Sequence, residues 1–150
     1  MKKKSMKKTQ EEKSFLNLAG EYGVCAELNK RNIFSSITYG NHKAADIIIF
    51  KDDKIFRIEV KTSTTKKVVT GFFQKYVSKD QKPAPDFWVL VHIDTETFIS
   101  SFYVLSHIEM GDEQMISDKK ESWSLTKGVD NIEFSRLEKY KDKWDKLLNS

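Results

Sequence analysis

The stretch Ala44–Ser63, AADIIIFKDDKIFRIEVKTS, decides the fold. Two runs rich in branched apolar residues, Asp46–Phe50 and Lys54–Lys61, flank Lys51-Asp52-Asp53. Acidic turn residues between such runs predict a β-hairpin. Side chains along a strand alternate between its faces. In the second run Phe56, Ile58 and Val60 therefore point one way, and Ile55, Arg57, Glu59 and Lys61 the other. One face thus carries a carboxylate and an amine two residues apart. Asp46 opens the partner strand, where the hairpin returns it to the end bearing Glu59. Carboxylates are costly to bury alone, yet each here sits among branched apolar neighbours, as at a partly buried sheet end. Two carboxylates can hold a hard divalent cation through oxygen. An adjacent lysine can orient or activate a water beside it.

Asp46 followed by Glu59-Val60-Lys61 resembles the D…(D/E)-X-K signature of the PD-(D/E)XK nuclease superfamily. Ala45 stands where the family's proline precedes the aspartate, a departure without chemical cost because that proline binds no metal. Upstream, Gly20-Glu21-Tyr22-Gly23-Val24-Cys25-Ala26-Glu27-Leu28 resembles the first helix of small stand-alone bacterial members, which often carry a Gly-Glu pair there. The resemblance covers roughly Phe15 to Leu105, with the glutamate, the aspartate, the E-X-K triplet and an apolar strand in the family's order. It implies an α/β fold with a central mixed β-sheet flanked by helices, the restriction-endonuclease-like core. It also implies metal-dependent hydrolysis of DNA phosphodiester bonds. Asp46 and Glu59 would hold Mg²⁺, with Mn²⁺ as a substitute and the Val60 carbonyl as a further ligand. Lys61 would position the attacking water and offset transition-state charge, and Glu21 would add a third acidic group, at the metal or through water. The loop Gly40–Lys43 would face nucleic acid through Asn41 and Lys43, which are also ordinary turn residues.

The 150 residues suffice for one domain with a real core. We expect a flexible basic tail over Met1–Lys13 and a single domain over 14–150. The formal charge of +4 is compatible with a polyanionic partner. The single cysteine, Cys25, excludes an intramolecular disulfide and fits a reducing, cytoplasmic setting. No long apolar span suggests a membrane segment. His42, His92 and His107 are scattered, one cysteine cannot build a zinc cluster, and no H-E-x-x-H, G-x-S-x-G or Walker loop is present.

In chain order, Ser14 is expected as an N-cap. It precedes a helix over Phe15–Lys30 with Phe15, Leu18, Ala19, Tyr22, Cys25 and Ala26 on its inner stripe and Glu21 at the stripe's edge. Gly20 and Gly23 would let the helix lie close on a sheet. Asn32 ends it, and Ile33–Tyr39 reads as a strand. Past the hairpin, Thr62, Ser63, Lys66 and Lys67 form a hydroxyl-rich basic stretch, read either as phosphate ligands or as a polar loop. Val68–Phe73 reads as a strand, Asp86–Ile93 as a central buried strand, and Thr97–Leu105 as its neighbour. A helix over Ser106–Ser117, a short strand over Ser122–Lys127 and a turn at Gly128–Asn131 follow. An amphipathic helix over Phe134–Leu148 closes the chain, its apolar side made of Phe134, Leu137, Tyr140, Trp144, Leu147 and Leu148.

Two other functions fit the same residues: a catalytically idle nucleic-acid-binding module, and a regulatory partner whose basic surface meets an acidic protein. A chain this small holds one hydrolytic site, so cutting both strands of a duplex predicts a homodimer. The contact would run through Tyr140 and Trp144 of the closing helix or through an exposed sheet edge.

Overall fold

The computed structural model describes residues 7–38, 45–79 and 81–149. Its element order is α1 (Gln10–Lys30), β1 (Phe34–Ile37), β2 (Ile47–Lys51), β3 (Lys54–Ser63), β4 (Lys67–Val69), α2 (Phe72–Tyr76), β5 (Phe87–Ile93), β6 (Ser100–Ser106), α3 (His107–Ser117), β7 (Asn131–Glu133), a 3-10 turn (Phe134–Tyr140) and α4 (Asp145–Leu148). Five strands form a mixed sheet in the order β1-β2-β3-β5-β6. Only β3 and β5 run parallel; the other neighbours are antiparallel. β4 and β7 form a separate antiparallel pair. The α/β architecture expected from the sequence is present. Among the described residues no helix is long and apolar enough to cross a membrane.

The hairpin forms as the sequence predicts, with Lys51 opposite Lys54. Asp52 and Asp53 take φ of 50° and 61°, the two left-handed residues of a tight two-residue turn whose twist suits the flanking strands. One sheet face buries Ile47, Ile49, Ile58, Val60, Val89 and Val91 against Val24 and Leu28 of α1. The other buries Trp88 and Leu90 against Phe72, Phe73, Met110 and Leu137. Glu59 pairs across the parallel ladder with Trp88, and Lys61 with Leu90, so both project on this second side.

Four expectations are corrected. First, α1 begins at Gln10 with Thr9 as its N-cap, not at Ser14. Glu12 completes a reciprocal capping box, so Gln10–Lys13 is helix where a tail was expected. The helix ends as expected at Asn32 (φ 61°), where the Ile33 and Asn32 N–H groups return to the Leu28 and Asn29 carbonyls. The buried face of α1 also differs. Gly20, Glu21, Val24 and Leu28 are buried, whereas Phe15 and Tyr22 are 64% and 55% exposed. Gly20 sets this rotation, because Thr62 of β3 lies where its Cβ would be.

Second, Val68–Phe73 is not one strand. Gly71 (φ 59°) turns the chain, and Phe72 starts α2. Third, the late strand is Asn131–Glu133 rather than Ser122–Lys127. Fourth, the closing helix is broken. A 3-10 turn ends at Tyr140, Lys141 bridges to Tyr103, and Asp142 takes φ 54° before α4. The apolar residues still pack inward, apart from Leu148, which is 42% exposed. Tyr140 and Trp144 are 8% and 2% exposed, so they belong to the core and offer no surface to a second copy.

Candidate active site

Asp46 lies just before β2, and the hairpin ladder pins it in place. Its N–H donates to the Ile58 carbonyl at 3.1 Å, and its Oδ2 accepts from the Val60 N–H at 2.8 Å. The Asp46 carboxylate is therefore bonded to the middle residue of the Glu59-Val60-Lys61 triplet.

Glu59 is 8% exposed and does not stand alone. Its Oε1 accepts from Lys75 Nζ at 2.7 Å, and Lys61 Nζ lies 3.5 Å from the same oxygen. Lys75 comes from α2, which the sequence reading did not connect with the site. Burial pushes the Lys61 ammonium below its ordinary pKa and the Lys75 charge pushes further, against the opposing pull of Glu59 and Asp46. Burial is the largest single influence on Lys75 and opposes its charge, but Glu59, Lys61 and Asp46 together hold Lys75 above the ordinary lysine value. Asp46 and Glu59 thus act on the same two ammonium groups. Beside them, the Tyr76 phenol is raised by burial first and by Glu59 second.

Glu21, 7% exposed on α1, joins Asp46, Val60 and Lys61 around a cavity of about 350 Å³. Glu59 is not among the residues lining it; the ladder projects it on the Trp88 side, where Lys75 of α2 meets it. Among the described residues no three His, Cys, Asp or Glu side chains group closely enough to cage a metal. The carboxylates at hand are Asp46 and Glu21 on the cavity wall and Glu59 behind it on Lys75. Mg²⁺ keeps several waters and binds through as few as one or two carboxylates, a number these residues can supply.

The remaining expected contacts divide. Asn41 and Lys43, like His42, lie outside the described residues. The Thr62 hydroxyl is buried without a hydrogen-bond partner among the described residues, pressed against Gly20; it cannot serve as a phosphate ligand where it stands. Ser63 Oγ donates to the Lys67 carbonyl at 2.7 Å and pairs with Thr65 Oγ1, so it closes the turn after β3. Lys67 lines a groove of about 470 Å³ with Lys8, Lys13, Asn17 and Thr65. This groove shares Asn17 and Lys61 with the Asp46 cavity, so the two adjoin. Lys66 points elsewhere, into a separate cavity with His92, Glu133 and Phe134.

Lys8, Lys13, Asn17 and Lys75 were missed. Lys13, Asn17 and Glu21 repeat at four-residue spacing and share a helix face. The Thr9-x-x-Glu12 capping box is the signal that would have extended α1 far enough to show it. His107, by contrast, is structural: its Nδ1 accepts from Trp88 Nε1 at 3.1 Å, its ring stacks on Phe72, and burial lowers its pKa.

No family model and no curated protein sequence matches the chain. Among solved structures it is similar to a bacterial homing endonuclease, I-Ssp6803I, with a TM-score of 0.59 and 14% sequence identity, over 96% of this chain and 94% of that one. At that identity the likeness is one of fold: the chain adopts the fold of a nuclease along nearly its whole length.

Proposed function

We propose that this protein is a metal-dependent endonuclease of the PD-(D/E)XK type that hydrolyses DNA phosphodiester bonds. The observation that carries this reading is the bond from the Val60 N–H to Asp46 Oδ2. It ties the aspartate to the E-X-K triplet at the wall of a cavity that Lys61 also lines, which supports reading them as one site.

Asp46 and Glu59 would hold a divalent ion, and Glu21 would add negative charge from the far wall. When bound, Mg²⁺ or Mn²⁺ would polarise the scissile phosphate and lower the pKa of a water. Lys61 stands within reach of the same point. Its burial and its cationic neighbour ease loss of its proton, which suits it to orient the water and take the water's proton, and the ammonium so formed would offset charge at the pentavalent phosphorus. Lys8, Lys13, Asn17 and Lys67 provide donors along the adjoining groove for the phosphates on either side of the cut. The fold shared with an endonuclease supports DNA as the substrate over an acidic protein partner. Pairing of two copies would bring two sites to one duplex. With Tyr140 and Trp144 buried, the sheet edges remain of the surfaces expected, and of these β1 is the more open, since Lys141 bridges to Tyr103 on β6.

The test is incubation of purified protein with plasmid, linear, single-stranded and branched DNA in Mg²⁺, Mn²⁺ or EDTA. Cleavage is expected with either metal and none in EDTA. A protein that binds DNA yet cuts no substrate form even in Mn²⁺ is the idle binding module instead.

A further inference from the structure

Lys75 is placed by construction rather than by chance. The residues before it are tied to a distant segment: Thr70 N–H and Gly71 N–H donate to the Asp130 carbonyl, and Phe73 N–H donates to Asp130 Oδ2 at 2.9 Å. Gln74 Nε2 donates to the Gly128 carbonyl at 2.6 Å. Phe72 and Phe73 are fully buried, so α2 cannot roll. The Lys75 carbonyl accepts from the Lys82 N–H, which fixes the far end of the turn. From this anchored backbone the Lys75 ammonium reaches Glu59 Oε1 at 2.7 Å, closer than the Lys61 ammonium of the motif itself.

A divalent ion on Glu59 would need one of its oxygens at about 2.0–2.1 Å, and the Lys75 and Lys61 ammonium groups on Oε1 compete for the same carboxylate charge. It would also repel the two lysines already there. Something must give way, and the motif lysine is held on the same strand as Glu59, two residues on. Lys75 sits on a separate element at the end of a flexible stem, so it can withdraw without moving the sheet. An anionic phosphate entering beside the metal is the natural new partner for the displaced ammonium.

We propose that Lys75 is a positioning residue that stands in for the metal on Glu59 in the metal-free protein, and passes to the substrate phosphate when the metal takes the carboxylate. This inference rests on the nuclease reading of the site. It makes metal binding and nucleic-acid binding mutually reinforcing: metal frees Lys75 for phosphate, and phosphate draws Lys75 from Glu59.

The experiment is calorimetric titration of the full chain with Mn²⁺, without DNA and then with a short duplex, for the wild type, Lys75→Met, Lys75→Arg and Asp46→Asn. Without DNA, Lys75→Met should bind Mn²⁺ about fivefold more tightly than wild type, because one competing, partly solvated ion pair is gone. Lys75→Arg should stay near wild type. Duplex should tighten Mn²⁺ binding to the wild type and to Lys75→Arg, and do so by a smaller factor for Lys75→Met. Circular dichroism checks the fold, and Lys75→Gln carries the same expectation should methionine disturb α2. If Lys75→Met binds Mn²⁺ as the wild type does, or more weakly, the stand-in role is overturned while the nuclease reading survives. If the wild type shows no Mn²⁺ binding that Asp46→Asn abolishes, the nuclease reading fails and this inference falls with it.

Discussion

Gly20→Ala tests how α1 seats on the sheet, and with it the placement of Glu21. An alanine methyl at position 20 would lie 3.0 Å from Thr62 Cβ and 3.2 Å from its Cγ2, and would overlap Oγ1. Rotating Thr62 brings its own methyl into the space its hydroxyl leaves, and branched side chains resist rotation about χ1. The helix must therefore retreat from β3. Forcing a methyl into a packed contact costs about 2–3 kcal/mol. Alanine returns about 1 kcal/mol of helix propensity over glycine. The balance is a destabilisation of about 1–2 kcal/mol, or a fall in Tm of about 2–8 °C for a chain of this size. Thr62→Ala alone removes a buried hydroxyl that has no partner among the described residues, so it should be neutral or slightly stabilising. The double variant should recover most of the loss, with a coupling of about 1–2 kcal/mol. Urea and thermal unfolding followed by circular dichroism on the four proteins measure this. A Gly20→Ala protein more stable than wild type, or a double variant no better than the single, refutes the close contact.

The other predictions concern the site and its supports. Lys61→Ala should abolish cleavage while DNA binding in EDTA and the unfolding midpoint stay near wild type; cleavage at wild-type rates would remove Lys61 from the chemistry. Asp46→Ala should lose metal-dependent cleavage and about 1–2 kcal/mol of stability, since the Val60 N–H loses its acceptor. Asp46→Asn keeps an acceptor and should lose only the cleavage, which urea titration distinguishes. Burial and then Asp130 raise Asp118 to about 6. With an unfolded value of about 3.9, its protonated form favours the native state below that pH, and the benefit is lost as pH rises through about 6. Asp118→Asn should flatten stability between about pH 4 and 7 and raise it near pH 7 by about 1 kcal/mol, with solvent access at Asp118 limiting the gain; an unchanged pH slope would count against the pair. Asp53→Gly relieves a left-handed residue in the hairpin turn and should raise stability by about 0.5–1 kcal/mol in the same assay.

What the sequence discloses depends on how local the cause is. The β2–β3 hairpin was legible because its alternation and acidic turn lie within twenty consecutive residues, and the Asp46–Val60 bond is a product of that hairpin alone. The inner face of α1 was not, because hydropathy favours Phe15 and Tyr22 whereas close approach favours Gly20, and Glu21 is buried beside it. The tail of the chain deceived differently. Phe134, Leu137 and Tyr140 are spaced by three residues, which suits the 3-10 period as well as an α-helical stripe, and nothing in that spacing announces the reversal at Asp142. The site divides along the same line. Its acidic pair and motif lysine follow from one strand and its partner, but the neighbour that most tightly holds Glu59 arrives on α2. That helix is positioned by Asp130, 57 residues beyond Phe73. The proton affinity of Lys61 therefore depends on a long-range contact, since Lys75 is the second-largest influence on it after burial. A D…E-X-K motif names the groups that meet. The distant chain decides what charge they carry when they do.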